Sequence, residues 1–252
     1  MRTLITKSIT LIILIVSTST GISAEGNLDE AIAKIETAWQ KITTLKAEVS
    51  AVASLPINNT YLKLKGMGEL IVARDKDNEK FVQQISAYPA SLLESGNTSI
   101  LSNPMASAKV LFDGTDYYIT YKLLTTQETN KTKPDLTKGA MPPGGKKLFE
   151  TVKEKLNITL SGEAELDGKK MPTFKLTPKE PSSDFVEANL TINPDYGIIR
   201  KLEIIGKDNT PIFQCEYTNI KTGLDIPPDT FTLPAPPQPP TDTTPPPQPS
   251  KQ

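Results

Sequence analysis

The stretch "GELIVARDKDNEKF", residues 68 to 81, decides the fold, because it reads as a strand, a tight polar turn and the start of a second strand. Successive side chains of a strand point to opposite faces, so every second residue shares a face. Counted back from Arg74, the residues on one face are Val72, Leu70, Gly68, Gly66, Leu64 and Leu62. A permanently charged arginine therefore ends the apolar face of a long strand.

Two glycines interrupt the apolar face of this strand. Gly66 and Gly68 lie between Leu64 and Leu70, so two positions on that face carry no side chain. A glycine inside a strand permits a sharp bend or lets another group approach the backbone closely. The stretch therefore predicts a curved sheet with a hollow on its apolar side.

Alternating apolar and polar runs continue along most of the chain. Turn signals such as "FDGTD", "LDGK" and "NPDYG" separate them. The runs predict strands at 61–74, 79–88, 108–112, 116–122, 156–166, 170–177, 184–193, 197–205 and 210–219, with a short strand near 230–233. Long antiparallel meanders of this kind curl into a barrel or half-barrel.

A helix precedes the first strand. Its apolar residues recur at spacings of three and four and share one helical face: Leu28, Ile32, Ile35, Trp39 and Ile42. From Leu45 onward, apolar residues recur at every second position, so a strand follows the helix directly. Weak helical pieces at 88–109 and a helix at 143–156 interrupt the meander. We expect these helices to pack against one side of the curved sheet, which makes the fold class α+β.

The two ends of the chain differ in composition from the domain at 25–233. Residues 1–24 combine two basic residues, an uncharged run centred on "LIILIV" and the ending "GISA", which predicts a signal peptide cleaved after Ala24. A retained membrane anchor is the alternative, although the run is short for a spanning helix. Residues 234–252 are rich in proline and predict an extended or disordered tail, either a spacer or a peptide ligand for a partner.

The chain lacks the residues of most catalytic and metal sites. It contains no histidine and one cysteine, Cys215. These counts exclude histidine-dependent triads, cysteine metal clusters, an intramolecular disulfide and a lipid-modified cysteine after the signal. Catalysis by carboxylates alone stays open, but no acidic pair stands out. The formal net charge of −1 does not suggest nucleic-acid binding. We therefore expect an exported protein that is not an enzyme and holds no cofactor.

The order of these features resembles the LolA-like periplasmic carriers and the related outer-membrane lipoprotein-sorting proteins of Gram-negative bacteria. The segments that carry the resemblance are, in chain order, "LDEAIAKIETAWQKITTLKAEV", "GMGELIVARDKDNEKF", "VLFDGTDYYITY", "ELDGKKMPTFKLTPK" and the stretch from "ANLTINPDYGIIRKLEI" to "DTFTLP". The long polar segment "TTQETNKTKPDLTKGAMPPGG" and the proline-rich tail are unlike the compact carriers. These differences indicate a divergent member.

In that family an incomplete, strongly curved antiparallel barrel, lined with apolar side chains and covered by short helices, shields lipid acyl chains in the periplasm. The resemblance implies a monomeric periplasmic carrier of lipoprotein acyl chains or another lipid, with inner-membrane donor and outer-membrane acceptor proteins as candidate partners. Alternation within the strands selects candidate lining residues, for which an ordinary core position is the alternative: Leu62, Leu64, Leu70, Val72, Phe81, Ile85, Leu202 and Ile204.

The family motif G-[DE]-L-x-x-x-R-P ends in an arginine that contacts the lid and governs its opening. Gly68, Glu69, Leu70 and Arg74 match the motif, whereas Asp75 stands in place of the proline. The resemblance therefore implies that Arg74 is a lid latch, bonded to backbone carbonyls or hydroxyls of the lid. Two alternatives stay open: Asp75 pairs with Arg74, or Arg74 reaches water at the rim and has no such role.

A second function is compatible with the same fold. The LolA-like fold also occurs in envelope-stress sensors that bind a protein partner, and the tail is suited to tether such a module. A carrier is expected to contain extractable lipid, whereas a sensor or scaffold is expected to hold a stable protein partner. The carrier is the leading hypothesis from the sequence.

Overall fold

The structure, a computed structural model, describes residues 25–57, 60–75, 78–96, 98–123, 126–134, 140–180 and 185–233. The predicted signal peptide and the predicted proline-rich tail lie outside the described residues. In the described part of the chain, no helix is both long and apolar enough to cross a membrane.

The elements follow the predicted order closely. Within the described ranges the helices are α1 (Glu25–Gln40), α2 (Ala90–Glu94) and α3 (Gly145–Lys155), and short 3₁₀ helices span Thr98–Ser102 and Pro228–Phe231. The strands are β1 (Thr44–Ile57), β2 (Thr60–Asp75), β3 (Asn78–Pro89), β4 (Ala106–Phe112), β5 (Tyr117–Leu123), β6 (Thr126–Thr132), β7 (Leu156–Leu166), β8 (Lys169–Pro178), β9 (Glu187–Asn193), β10 (Ile198–Ile205) and β11 (Pro211–Thr222).

All strands belong to one open antiparallel sheet. The strand order is β6-β5-β4-β3-β2-β1-β11-β10-β9-β8-β7, so two meanders meet where the first strand pairs with the last. β6 and β7 follow one another in sequence but lie at opposite edges, so the segment that carries α3 crosses the sheet. The predicted α+β class, an incomplete antiparallel barrel with helices, is confirmed.

A hydrogen bond between distant strands shows how strongly the sheet curves. The hydroxyl of Tyr217 in β11 donates to the side-chain oxygen of Gln83 in β3 at 2.9 Å. β1 and β2 lie between these strands, and three strand spacings of about 4.8 Å would separate them by roughly 14 Å in a flat sheet. Side chains that stand perpendicular to a flat sheet do not bridge that distance. The sheet therefore wraps around this face, which we call the concave face.

The paired glycines lie on the concave face and permit close approaches between neighbouring strands. A Cβ atom added to Gly68 would lie 1.8 Å from the backbone oxygen of Gln84 in β3. One added to Gly66 would lie 2.7 Å from a side-chain carbon of Ile85. The contact with backbone at Gly68 requires glycine for the strand packing seen here, whereas a larger residue at Gly66 would require the Ile85 side chain to shift. This is the role that the sequence predicted for them.

Two helices cover the concave face. α1 contributes Ile35 and Trp39 to the main hydrophobic core, and α3 contributes Leu148, Phe149 and Val152. The rings of Phe149 and Phe174 of β8 meet edge to face with centroids 5.2 Å apart. The apolar stripe read from the sequence for α1 and the buried face of α3 therefore face the concave side of the sheet.

The other helices lie on the convex face, which corrects the expectation that all of them pack on one side. Glu94 at the end of α2 forms an ion pair with Lys65, whose neighbours Leu64 and Gly66 point to the concave face. The predicted strand near 230–233 is wrong. Its place is taken by a 3₁₀ helix, in which Phe231 packs with Val82 and Leu111 in a small convex cluster.

β6 was not predicted as a strand. Its sequence, "TQETNKT", is polar at every position, and its side chains from Thr126 to Lys131 are exposed on both faces. Such a strand has no apolar alternation, and its pairing with β5 follows from backbone hydrogen bonds.

Concave apolar face and arginine latch cluster

The predicted lining residues share one face of the sheet. Strand register places Leu70 beside Ala47, Phe81 beside Val72, and Leu202 beside Cys215, and continuous alternation puts the whole set on the concave side. The set consists of Leu62, Leu64, Leu70, Val72, Phe81, Ile85, Leu202 and Ile204. Whether these residues contact a ligand stays a prediction.

One part of the concave face is sealed beneath the helices. Leu70, Val72 and Phe81 are at most 1% exposed and belong to the same core as Ile35 and Trp39 of α1. Leu64, Leu202 and Ile204 are 7–8% exposed, and Leu62 is half-buried.

Another part of the concave face is open. Ile85 pairs with Ala108 and Ala108 with Tyr121, and the next row pairs Ala87 with Ala106 and Ala106 with Leu123. Tyr121 is 44% exposed and Leu123 57% exposed, while the other four residues are half-buried. We call these six residues the open-end patch: Ile85, Ala87, Ala106, Ala108, Tyr121 and Leu123. This patch continues the sealed part of the same apolar face toward solvent.

Arg74 connects the end of β2 to the last turn of α1. Its Nη1 donates a hydrogen bond of 2.5 Å to the backbone oxygen of Trp39, and its guanidinium carbon lies 5.6 Å from the centre of the Trp39 ring. The side chain is 14% exposed. Arg74 thus bonds a backbone carbonyl of a helix that covers the concave face. Whether it acts as a lid latch stays a prediction.

Glu79 completes this cluster and was missed from the sequence. Its Oε2 accepts a hydrogen bond of 3.0 Å from the indole nitrogen of Trp39 and lies 3.5 Å from Nε of Arg74. Residues 74 and 79 are direct cross-strand partners, so counting across the turn would have placed them together. The carboxylate that faces Arg74 is therefore Glu79, and Asp75 is exposed. The pKa of the Tyr117 hydroxyl is raised above its ordinary value, chiefly by burial and in addition by the negative charge of Glu79.

Three glycines pack closely against Trp39. A Cβ atom on Gly145, at the start of α3, would lie 2.1 Å from Cδ1 of the Trp39 ring, and one on Gly144 would lie 2.9 Å from Cε3. A Cβ on Gly197 in the β9–β10 turn would lie 2.3 Å from the backbone oxygen of Ile35 and 2.9 Å from Cβ of Trp39. We call Gly144, Gly145 and Gly197 the glycine cradle. Trp39 thus links α1, α3 and the β2–β3 hairpin.

Solvent reaches the edge of this cluster through a cleft of about 240 Å³ between α1 and α3. Arg74 and Glu79 line it together with Lys146, Lys147 and Glu150 of α3. Nε of Arg74 and Oε1 of Glu79 are buried and have no hydrogen-bond partner among the described residues. The cluster of Arg74, Glu79 and Trp39 is therefore incompletely hydrogen-bonded and lies close to water, which lowers the cost of separating these groups.

The free cysteine, Cys215, is buried in the hydrophobic core. Burial raises the pKa of the Cys215 thiol to about 12, so the thiol stays protonated and unreactive at neutral pH. Among the described residues, no cluster of three or more histidine, cysteine, aspartate or glutamate side chains could hold a metal ion.

Comparison with known proteins gives distant similarities. No protein-family model matches the sequence. A curated relative, an uncharacterized protein of Methanocaldococcus jannaschii, is 22% identical over 211 residues, which are 84% of this chain and 52% of the relative. The chain therefore spans about half the length of the curated relative that it matches.

Solved structures that are similar to this chain include ones that share 7–11% sequence identity with it. An uncharacterized conserved protein from Thermus thermophilus has a TM-score of 0.48 at 9% identity, covering 83% of this chain and 95% of that one. The complex of MucA and MucB from Pseudomonas aeruginosa has a TM-score of 0.39 at 10% identity, covering 83% of this chain and 62% of that one. A LolA superfamily protein from Nitrosomonas europaea has a TM-score of 0.33 at 11% identity, covering 81% of this chain and 97% of that one. The LolA superfamily, which the sequence resembles, is thus represented among the solved structures to which this chain is similar.

Proposed function

We propose that this protein is a non-enzymatic carrier that binds acyl chains of lipoproteins, or another amphipathic lipid, on its concave face. The observation that carries the proposal is the continuity of this face. It runs from residues sealed beneath α1, such as Leu70 and Phe81, to the exposed Tyr121 and Leu123. An apolar surface that is buried at one end and exposed at the other is suited to an amphipathic ligand.

The sealed part of the face becomes available when α1 moves. Each methylene of a ligand buried there contributes about 0.8 kcal/mol, so a chain of several carbons can offset the loss of lid contacts. An apolar hollow without any opposing interaction would hold its ligand too tightly for transfer. The bonds of Arg74 and Glu79 to Trp39 stabilise the closed, empty state and so weaken net ligand binding. In this proposal Arg74 is the latch and α1 is the lid.

The proposed location is the periplasm, and the support for it is the signal-like composition of residues 1–24. A periplasmic carrier would receive its cargo from an inner-membrane donor and deliver it to an outer-membrane acceptor. The open-end patch is the candidate contact surface for cargo in both exchanges.

Native mass spectrometry of protein secreted into the periplasm of a Gram-negative host and purified without detergent tests this function. We expect a lipid adduct that disappears on extraction with organic solvent. Leu123→Glu should abolish the adduct, because it places a charge on the open-end patch, whereas Leu92→Glu, at an exposed leucine of α2, should retain it. Equal loading of both variants would contradict the proposed site. A stable protein partner without lipid would instead favour a sensor or scaffold.

A further inference from the structure

A hydrogen-bonded polar pair lies among apolar residues of the concave face. The hydroxyl of Tyr217 is bonded to the side-chain oxygen of Gln83, and Tyr217 is 6% exposed. Gln83 pairs with Leu70 on one side and with Val110 on the other, and both neighbours are apolar and buried. Apart from the buried thiol of Cys215, the described lining around the pair is hydrocarbon.

The polar pair coincides with the border between the sealed and the open parts of the face. On the sealed side, Val110 and Phe81 are 6% and 1% exposed. On the open side, the next row of β3–β5 contains Ile85 and Ala108, which are half-buried, and Tyr121, which is 44% exposed. A chain that enters over the open-end patch therefore meets the hydroxyl and the amide before it reaches the sealed core.

We propose that the Tyr217–Gln83 hydrogen bond limits how deeply an acyl chain enters, so that this protein selects its ligands by chain length. The inference rests on the proposed function and names a specificity determinant within the same site. Methylenes that stop before the polar pair gain the full benefit of burial. Methylenes that pass it must displace a buried hydrogen bond and leave a hydroxyl or an amide against hydrocarbon, which removes the benefit.

The expected chain-length profile follows from this barrier. Each buried methylene strengthens binding by up to about fourfold. In the wild type, affinity should rise with chain length and then level off once the chain reaches Gln83. Without the polar pair, the rise should continue to longer chains. Replacing both partners of a buried hydrogen bond by apolar groups of similar shape is nearly neutral for stability, so Gln83→Leu/Tyr217→Phe is a suitable test variant.

The test measures lysophosphatidylcholines with octanoyl, dodecanoyl or hexadecanoyl chains, each below its micellar concentration, by displacement of N-phenyl-1-naphthylamine. We expect Gln83→Leu/Tyr217→Phe to bind the hexadecanoyl lipid at least tenfold more tightly than the wild type does, with little change for the octanoyl lipid. Tyr217→Phe alone, which removes one hydroxyl, should shift the profile in the same direction. Gln84→Leu, at an exposed residue on the opposite face of β3, should keep the wild-type profile.

An identical chain-length profile in the wild type and in both Tyr217 variants would overturn the inference while leaving the carrier function standing. A complete lack of binding in every variant, at every chain length, would overturn the carrier function and the inference with it.

Discussion

Replacing Arg74 by leucine is expected to lower the free energy of unfolding by about 3 kcal/mol, the lower end of the range for breaking a buried charge pair. The cost arises chiefly at Glu79, whose carboxylate is 4% exposed and faces the guanidinium. Among the described residues, this carboxylate would then keep only the indole donor of Trp39 and would have no ion-pair partner. Thermal and urea unfolding of the two proteins measure the effect.

The double variant Arg74→Leu/Glu79→Gln should recover most of the stability that the single variant loses, because the amide is neutral and still accepts from Trp39. Lys63→Leu, at an exposed residue on the opposite face of β2, should change stability by less than about 0.5 kcal/mol. Destabilisation of the double variant as large as the sum of both single changes would show that the two charges are not coupled.

The neutral double variant also separates the effect of the proposed latch on lid opening from its effect on stability. It lacks the bond from Arg74 to the Trp39 carbonyl but leaves no buried charge, so its lid should open more easily. We expect it to retain more lipid per protein through purification than the wild type or Lys63→Leu. The single Arg74→Leu change would confound lid opening with partial unfolding.

Gly145→Ala should destabilise the protein by about 3 kcal/mol, the combined effect of a strained backbone and a steric clash. Gly145 has φ +66, which costs an alanine about 1–2 kcal/mol, and the added Cβ would lie 2.1 Å from Cδ1 of Trp39. Gly144 packs against Cε3 of the same ring, and Trp39 is only 3% exposed, so the ring has little room to move. The melting temperature should fall by about 6–12 °C for a domain of this size.

Gly168→Ala is the matched control. Gly168 has nearly the same backbone conformation, φ +70, but no atom lies within 4 Å of the position that a Cβ would take. It should therefore show the backbone cost alone, about 1–2 kcal/mol. If both variants lose the same stability, the contact between the Trp39 ring and Gly145 contributes nothing, and the cradle is not a constraint on the lid.

Local patterns predicted the parts of the fold that each strand or helix determines by itself. The alternation through Leu70, Val72 and Arg74 placed those residues on the correct face, because a half-buried strand must separate its apolar and polar side chains. The stripe through Ile35 and Trp39 predicted α1 for the equivalent reason.

Features that depend on distant segments were not predictable in this way. Gly197 lies far from Trp39 in sequence, and nothing in its own turn indicates that the backbone of α1 packs against it at Trp39. The Tyr217–Gln83 bond exists only because the sheet curls, and curvature is a property of many strands together. α2 is short and has no clear apolar stripe, so its placement on the convex face follows from its contacts with β2 and β3.

Glu79 is a different case, because its pairing with Arg74 can be read from a short stretch of the sequence. The β2–β3 turn connects Arg74 and Glu79 as direct partners, but alternation was followed only along β2 and not across the turn. Charged residues after a turn are commonly exposed, so Glu79 gave no signal of burial unless Arg74 was first placed on the concave face. The proposed latch therefore consists of two charged residues, Arg74 and Glu79, which both bond Trp39 of the lid helix α1.

Trp39 is the only tryptophan of the chain and is 3% exposed, so its fluorescence reports directly on the lid. The most direct measurement is the emission maximum during titration with dodecanoyl lysophosphatidylcholine below its micellar concentration. If the concave face binds acyl chains by opening α1, the emission should shift to longer wavelength, and the shift should saturate at the lipid concentration that displaces N-phenyl-1-naphthylamine. The emission maximum of Arg74→Leu/Glu79→Gln should lie at longer wavelength than that of the wild type even before lipid is added. An emission maximum that stays constant while the lipid displaces the probe would contradict a lid held by Arg74. An emission maximum that stays constant while the lipid fails to displace the probe would contradict the carrier function itself.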